Sequence, residues 1–149
     1  MNVRIRTNRW SSTAVSISPA LTVIETARAM EERMNAALTS ASLSMARMAV
    51  LHRLAESAAP VGLKDLAEAL GCSKSNASVL SDRMVQDGLL HREVDPTDRR
   101  GVLLSLTSAG SAAHEEGFAI IRRQEENLFA DVSLQDRDAL LRTLGQVAQ

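Results

Sequence analysis

Apolar residues recur at three- and four-residue steps along most of this chain, and the pattern is interrupted at a few Ser, Thr, Gly and Pro positions that mark the ends of elements. Residues 1–17 show no clear period, carry Ser11, Ser12, Thr13 and Ser16, and read as a loose arm. Ser18-Pro19 then offers a helix cap with proline in the first turn. From there Leu21, Ile24, Ala27, Met34 and Leu38 form one apolar stripe, with Arg28, Glu32 and Arg33 elsewhere, so a long amphipathic helix is expected to end near Thr39. Ser44 caps a second helix with Met48, Leu51, Leu54 and Ala55 on one face, stopped by Pro60 after its Ala-rich end.

After a short apolar step at Val61-Gly62, the residues Leu63, Leu66, Ala67 and Leu70 describe a brief third helix closed by Gly71. Ser73 caps a fourth, whose inward stripe is expected to be Ala77, Leu80 and Met84 and which ends at Gly88. Two apolar runs, Leu89-Leu90 and Val102 to Leu106, flank a polar segment from Asp95 to Gly101 and read as antiparallel strands with a protruding loop. Thr107 caps a long fifth helix through Ile120, Ile121, Leu128 and Phe129. Ser133 caps a sixth with Leu134, Leu140, Leu141, Leu144 and Val147.

Two short helices joined by a Gly-containing turn, the second running into a hairpin, is the order of a winged helix-turn-helix. The expected fold class is therefore mainly α with a small β-hairpin. A single unit at 18–149 holds the winged helix-turn-helix at about 44–106. Around it lie N- and C-terminal helices at about 18–39 and 107–148, whose apolar surface exceeds what a small winged helix needs and suggests an isologous dimer.

Composition narrows what such a chain can bind. With 149 residues, 45% hydrophobic, it suits one ordinary domain. A net charge of −1 argues against indiscriminate coating of nucleic acid, so DNA binding must use a local patch. Aromatics are 2%, which removes the stacking platforms of single-strand binders and leaves duplex binding open. No run approaches the ~18 apolar residues of a membrane span, and no apolar stretch behind Arg4, Arg6 and Arg9 makes a secretory signal. Together with the single Cys72 this points to the cytoplasm, with no membrane partner.

The chemistry sits on the fourth helix and the hairpin. The run Gly71-Cys72-Ser73-Lys74-Ser75-Asn76-Ala77-Ser78-Val79-Leu80-Ser81-Asp82-Arg83-Met84, followed by Gly88-Leu89-Leu90 and Arg92, resembles the recognition-helix segment of the multiple-antibiotic-resistance regulators, the MarR family. Asp95-Pro96-Thr97-Asp98-Arg99-Arg100, followed by Leu104-Ser105-Leu106-Thr107-Ser108-Ala109-Gly110, is similar to that family's wing signature. Helix count and order extend the likeness over roughly residues 18 to 148.

Read from the residues, the inward stripe turns Ser75, Ser78, Val79, Asp82 and Arg83 outward. An exposed valine among hydroxyls suits a thymine methyl, while Ser73, Lys74, Ser75, Asn76 and Ser78 near the helix start can reach base edges or phosphates. A plain solvated face with one stray valine is the alternative for these residues taken alone. In the wing, a carboxylate beside Arg99 and Arg100 can orient one guanidinium while the other enters a narrow minor groove. The family pattern implies Arg100 as the groove arginine held by Asp98. A charged tip that keeps the hairpin edge soluble is the bland reading. Arg92 and Lys64 are expected at phosphates, or else are surface charges.

The resemblance further implies a homodimer on a pseudo-palindromic duplex operator, with Leu21, Ile24, Ile120, Leu128, Phe129, Leu140, Leu141 and Leu144 in the interface. It implies repression, and a small aromatic or anionic effector between the dimer helices and the winged domain. Met30, Met34, Met45 and Met48 are candidates to line that pocket, although methionines at helical spacing also serve as core filler. Cys72 precedes the recognition helix, where a redox role is conceivable and a packed thiol is the favoured reading. His52, His91 and His114 are scattered without metal-ligand spacing, so neither a metal nor a cofactor is expected. No phosphate-cradling loop, nucleophile elbow or Cys–His arrangement suggests an enzyme. The alternative function is a winged-helix dimer that binds a protein partner, motivated by the near-neutral docking domain.

Overall fold

The computed structural model describes residues 18–98 and 101–148. The expected arm at 1–17, with Trp10, lies outside them, as do Arg99 and Arg100. In order the elements are α1 (Pro19–Leu38), a 3-10 turn (Thr39–Ala41), α2 (Met45–Ala55), β1 (Val61–Gly62), α3 (Leu63–Ala69), α4 (Lys74–Gln86), β2 (Leu90–Val94), β3 (Val102–Leu106), α5 (Ser108–Leu128) and α6 (Leu134–Val147).

Helix starts follow their caps. The side chains of Ser18, Ser44, Ser73, Thr107 and Ser133 each accept the backbone N–H three residues on, which satisfies one of the donors a helix start leaves open. α2 ends at Ala55, before Pro60, and Ser57 Oγ donates to the Ala59 carbonyl in the loop that follows. Between α3 and α4, Gly71 takes φ +61°, and the amides of Gly71 and Cys72 reach back to the carbonyls of Glu68 and Ala67. Only a residue without Cβ adopts that conformation at little cost, so α4 can begin three residues later.

The sheet has three strands in the order β1-β3-β2, all antiparallel, where the hydrophobic pattern suggested only a two-stranded hairpin. β2 and β3 pair from Leu90↔Leu106 to Val94↔Val102, so β2 is longer than the Leu89-Leu90 run. The added strand is the Val61-Gly62 step, paired as Val61↔Leu104 and Gly62↔Leu103. Two residues cannot display an alternating pattern; their partner defines them as a strand.

Leu38, Val50, Leu51, Leu66, Ala77, Met84 and Leu104 are fully buried and bind α2, α3, α4 and the sheet into one core. The buried stripe of α4 is Ala77, Ser81 and Met84, which corrects the expectation of Leu80: that leucine is half-buried at the edge of the cluster. Ser81 is accommodated because its hydroxyl donates to the Ser78 carbonyl at 3.0 Å, leaving no unpaired polar group in the core. α5 starts tight against the turn after α4: Thr107 Oγ1 donates to the Gly88 carbonyl at 2.7 Å, and the Leu89 carbonyl occupies the space where a Cβ on Gly110 would stand.

α6 has no buried residue, and Leu134, Leu141 and Val147 stand well out from the protomer. Leu21, Val23 and Ile24 on α1 are similarly exposed. The core of one chain therefore does not use these apolar faces.

Candidate nucleic-acid interface

The first turns of α4 face solvent. Ser73, Lys74, Ser75 and Asn76 are exposed, and Val79 is 51% exposed as the outward stripe implied. Arg83 is exposed one turn further along. Ser78 is half-buried, and its hydroxyl donates to Asp82 Oδ2 at 3.3 Å. The helix thus presents hydroxyl, amide and ammonium donors around one apolar side chain, on a convex element of 13 residues whose diameter a major groove admits.

The acids of α4 are both engaged. Asp82 takes the guanidinium of Arg92 from β2, and Asp87, at the C-terminal cap of α4, takes that of Arg47 from α2. Neither pair has a local signature, since the partners are 10 and 40 residues apart in the chain. Arg92, expected at a phosphate, pairs one guanidinium nitrogen with Asp82. Lys64 on α3 remains largely exposed, with a loose 3.8 Å contact to Glu68 one turn away.

At the wing, Asp95 closes the turn. Its Oδ1 accepts from the hydroxyl and the amide of Thr97, both at 2.7 Å. The Thr97 hydroxyl, then the Thr97 amide, hold the Asp95 carboxyl below the usual carboxylate range, against the opposing effect of desolvation. The Gly101 amide donates to the Asp98 carbonyl at 2.7 Å, and the Asp95 amide to the Gly101 carbonyl at 3.1 Å.

The four methionines do not share one cavity. Met34 and Met48 are buried and Met45 is packed against the core. Met30 lines a groove with Leu128, Phe129 and Val132. Among the expected interface residues, Leu21, Ile24, Leu140 and Leu141 are exposed, Leu128, Phe129 and Leu144 are half-buried, and Ile120 packs on the core of its own chain. His52 and His114 are not scattered: Nδ1 of the first lies 3.3 Å from Nε2 of the second, with Phe118 against both rings. His91 is exposed on β2. Among the described residues no group of three or more potential ligands is arranged to hold a metal ion. Cys72 is half-buried, its thiol 3.6 Å from the Ser73 carbonyl. No described helix is long and apolar enough to cross a membrane.

The MarR family model matches residues 43–102, from the start of α2 through the helix-turn-helix to the hairpin. Over those residues the chain matches the MarR family. Members of that family are transcriptional regulators. The whole structure is similar to that of the transcriptional repressor CouR bound to a 23-mer DNA duplex, with a TM-score of 0.84 and 25% identity over 91% of this chain and 95% of that one. It is also similar to a MarR variant from E. coli complexed with operator DNA (TM-score 0.80, 23% identity, 91% and 97% covered). A third similar structure is CouR from Rhodococcus jostii RHA1 bound to p-coumaroyl-CoA (TM-score 0.78, 21% identity, 92% and 96% covered). No curated protein matches the sequence.

Proposed function

We propose that this chain is a sequence-specific, double-stranded DNA-binding transcriptional regulator of the cytoplasm, acting as a homodimeric repressor that a small-molecule effector releases. The observation that carries the reading is the exposed start of α4, with Val79 among donor side chains, beside the β2–β3 hairpin. In this reading Ser73, Lys74, Ser75, Asn76, Ser78, Val79 and Arg83 work in the major groove. Arg100, held by Asp98, enters the minor groove with Arg99 beside it, and Lys64 reaches a phosphate. Arg92 contributes through Asp82.

The winged helix-turn-helix at 44–106 is the DNA-reading part, and the helices at 18–39 and 107–148 carry the dimer. The apolar faces of α1 and α6 support this: exposed Leu21, Ile24, Leu140 and Leu141 need a cover that one chain does not supply. Two copies related by a two-fold axis present two α4 helices to half-sites about one helical turn apart. The repressor and effector parts of the reading draw on CouR, described as a repressor and bound to DNA in one structure and to p-coumaroyl-CoA in another.

Selection of binding sites from a random duplex library with the full-length protein tests the reading. A pseudo-palindromic motif is the expected product; enrichment without any shared motif would overturn sequence-specific reading.

A further inference from the structure

Arg47 occupies an unusual junction. Its side chain is only 19% exposed. One arm of its guanidinium donates to the Ser42 carbonyl at 2.7 Å and the other to Asp87. Ser42 sits in the turn between α1 and α2 with φ +57°, a conformation that non-glycine residues seldom adopt and that needs support from its surroundings. Asp87 is the residue at which α4 ends, its amide still bonded to the Arg83 carbonyl. A planar, two-armed cation therefore joins the turn after α1 to the end of the recognition helix.

A second brace stiffens the path. Asn35, in the last turn of α1, accepts the Met45 amide at 2.8 Å through its side-chain oxygen, tying α1 to the start of α2. From Asn35 to Met45, along α2 to Arg47, and from Arg47 to Asp87, each link is a directed hydrogen bond or a helix. The recognition helix has another tie at Asp82, but that one leads to β2, which belongs to the same DNA-reading body. The bond from Arg47 is the one of the two that leads toward α1.

We propose that Arg47 is a positioning residue that sets the angle between α1 and α4, and through it the separation of the two recognition helices on DNA. The proposal rests on the DNA-reading function above. Arg47 does not itself contact DNA in this account: its guanidinium is engaged by Ser42 and Asp87. Its removal should leave the number of phosphate contacts unchanged while loosening the geometry with which half-sites are matched.

The test uses the full chain as wild type, Arg47→Ala, Asp87→Ala and the charge-swapped Arg47→Asp/Asp87→Arg protein, each checked for cooperative unfolding. Binding is measured to the selected duplex and to versions with the half-sites moved closer or apart by one or two base pairs. The wild type should prefer one spacing. Arg47→Ala and Asp87→Ala should bind that duplex about tenfold more weakly, equivalent to about 1.4 kcal/mol, with a flattened spacing profile and an unchanged salt dependence. The swap should restore much of the preference. Equal losses at every spacing, or a reduced salt slope, would overturn the proposal in favour of plain destabilisation or a phosphate contact.

A second measurement needs no DNA. Spin labels at Glu32→Cys and Val79→Cys, in a Cys72→Ser background diluted with unlabelled protein, report the distance from α1 to α4. A narrow distribution in the wild type that broadens in both single variants and narrows in the swap supports the clamp. A distribution unchanged by Arg47→Ala overturns it, even if no duplex is found and the DNA reading itself falls.

Discussion

Arg92, on the first strand of the hairpin, donates its guanidinium to the Asp82 carboxylate in the middle of α4. Asp82 also accepts from the Ser78 hydroxyl, so a residue facing the outer side of the helix, its neighbour one turn away and the base of the wing are joined. Helix and hairpin are then presented to a ligand as one body. Two consequences separate this role from a phosphate contact.

Arg92→Ala should lower stability by only about 0.5 kcal/mol, because both partners remain substantially open to solvent. Its effect on DNA should be a weaker affinity with an unchanged salt slope. A fall in that slope of about one unit in a salt titration would instead mark Arg92 as a phosphate ligand.

Val79 is exposed, so Val79→Ala should leave stability within about 0.5 kcal/mol of the wild type. In a panel of duplexes with single base-pair changes it should relax preference at one thymine-bearing position by about 1 kcal/mol. Uniform weakening over all positions would show that Val79 reads no base.

Gly110 and Gly145 should respond to alanine in opposite directions. At Gly110 a Cβ meets the Leu89 backbone carbonyl, which cannot swing aside as a side chain can, and Gly110→Ala should cost roughly 1–3 kcal/mol in urea unfolding. At Gly145, within α6, nothing stands near the added atom, and Gly145→Ala should stabilise by up to about 1 kcal/mol. Equal effects at the two sites would mean that α5 is not seated on the Leu89 carbonyl.

The Asp95 carboxyl is held below its ordinary value of 3.8, first by the Thr97 hydroxyl and then by the Thr97 amide. A carboxylate depressed on folding adds stability to the turn that is fully present above the unfolded value and is lost as pH falls through the lower, folded value. The Thr97 amide resonance should therefore titrate below pH 3.8, and Thr97→Val should move the midpoint upward. A midpoint that does not move would assign the shift to the backbone alone.

Much of this architecture is legible in the sequence because its signals are local. A capping serine or threonine acts on an amide three residues away, and all five expected caps at Ser18, Ser44, Ser73, Thr107 and Ser133 form. Gly71 and Gly88 both take positive φ where the turns need it. The exposed Val79 follows from helical geometry in the same way.

What was not legible depends on partners distant in the chain. β1 exists because Leu103 and Leu104 lie beside it. Leu80 and Ser81 sit on either side of the stripe's centre line, so periodicity does not decide which is buried; the packing of α4 does. A methionine spaced as pocket lining is spaced equally well as core, and Met34 and Met48 belong to the core. The pairs Arg47–Asp87 and His52–His114 join elements 40 and 62 residues apart and leave no pattern in either segment.

In the proposed function, α4 and the hairpin read a duplex by sequence. Fluorescence anisotropy of the full-length protein against the duplex upstream of its own coding region, beside a scrambled duplex and across a salt series, tests it most directly. Binding at ~10⁻⁸ M or tighter to the native duplex, well above the scramble, is the expected result. Equal, weak binding to both duplexes at every salt concentration would contradict it.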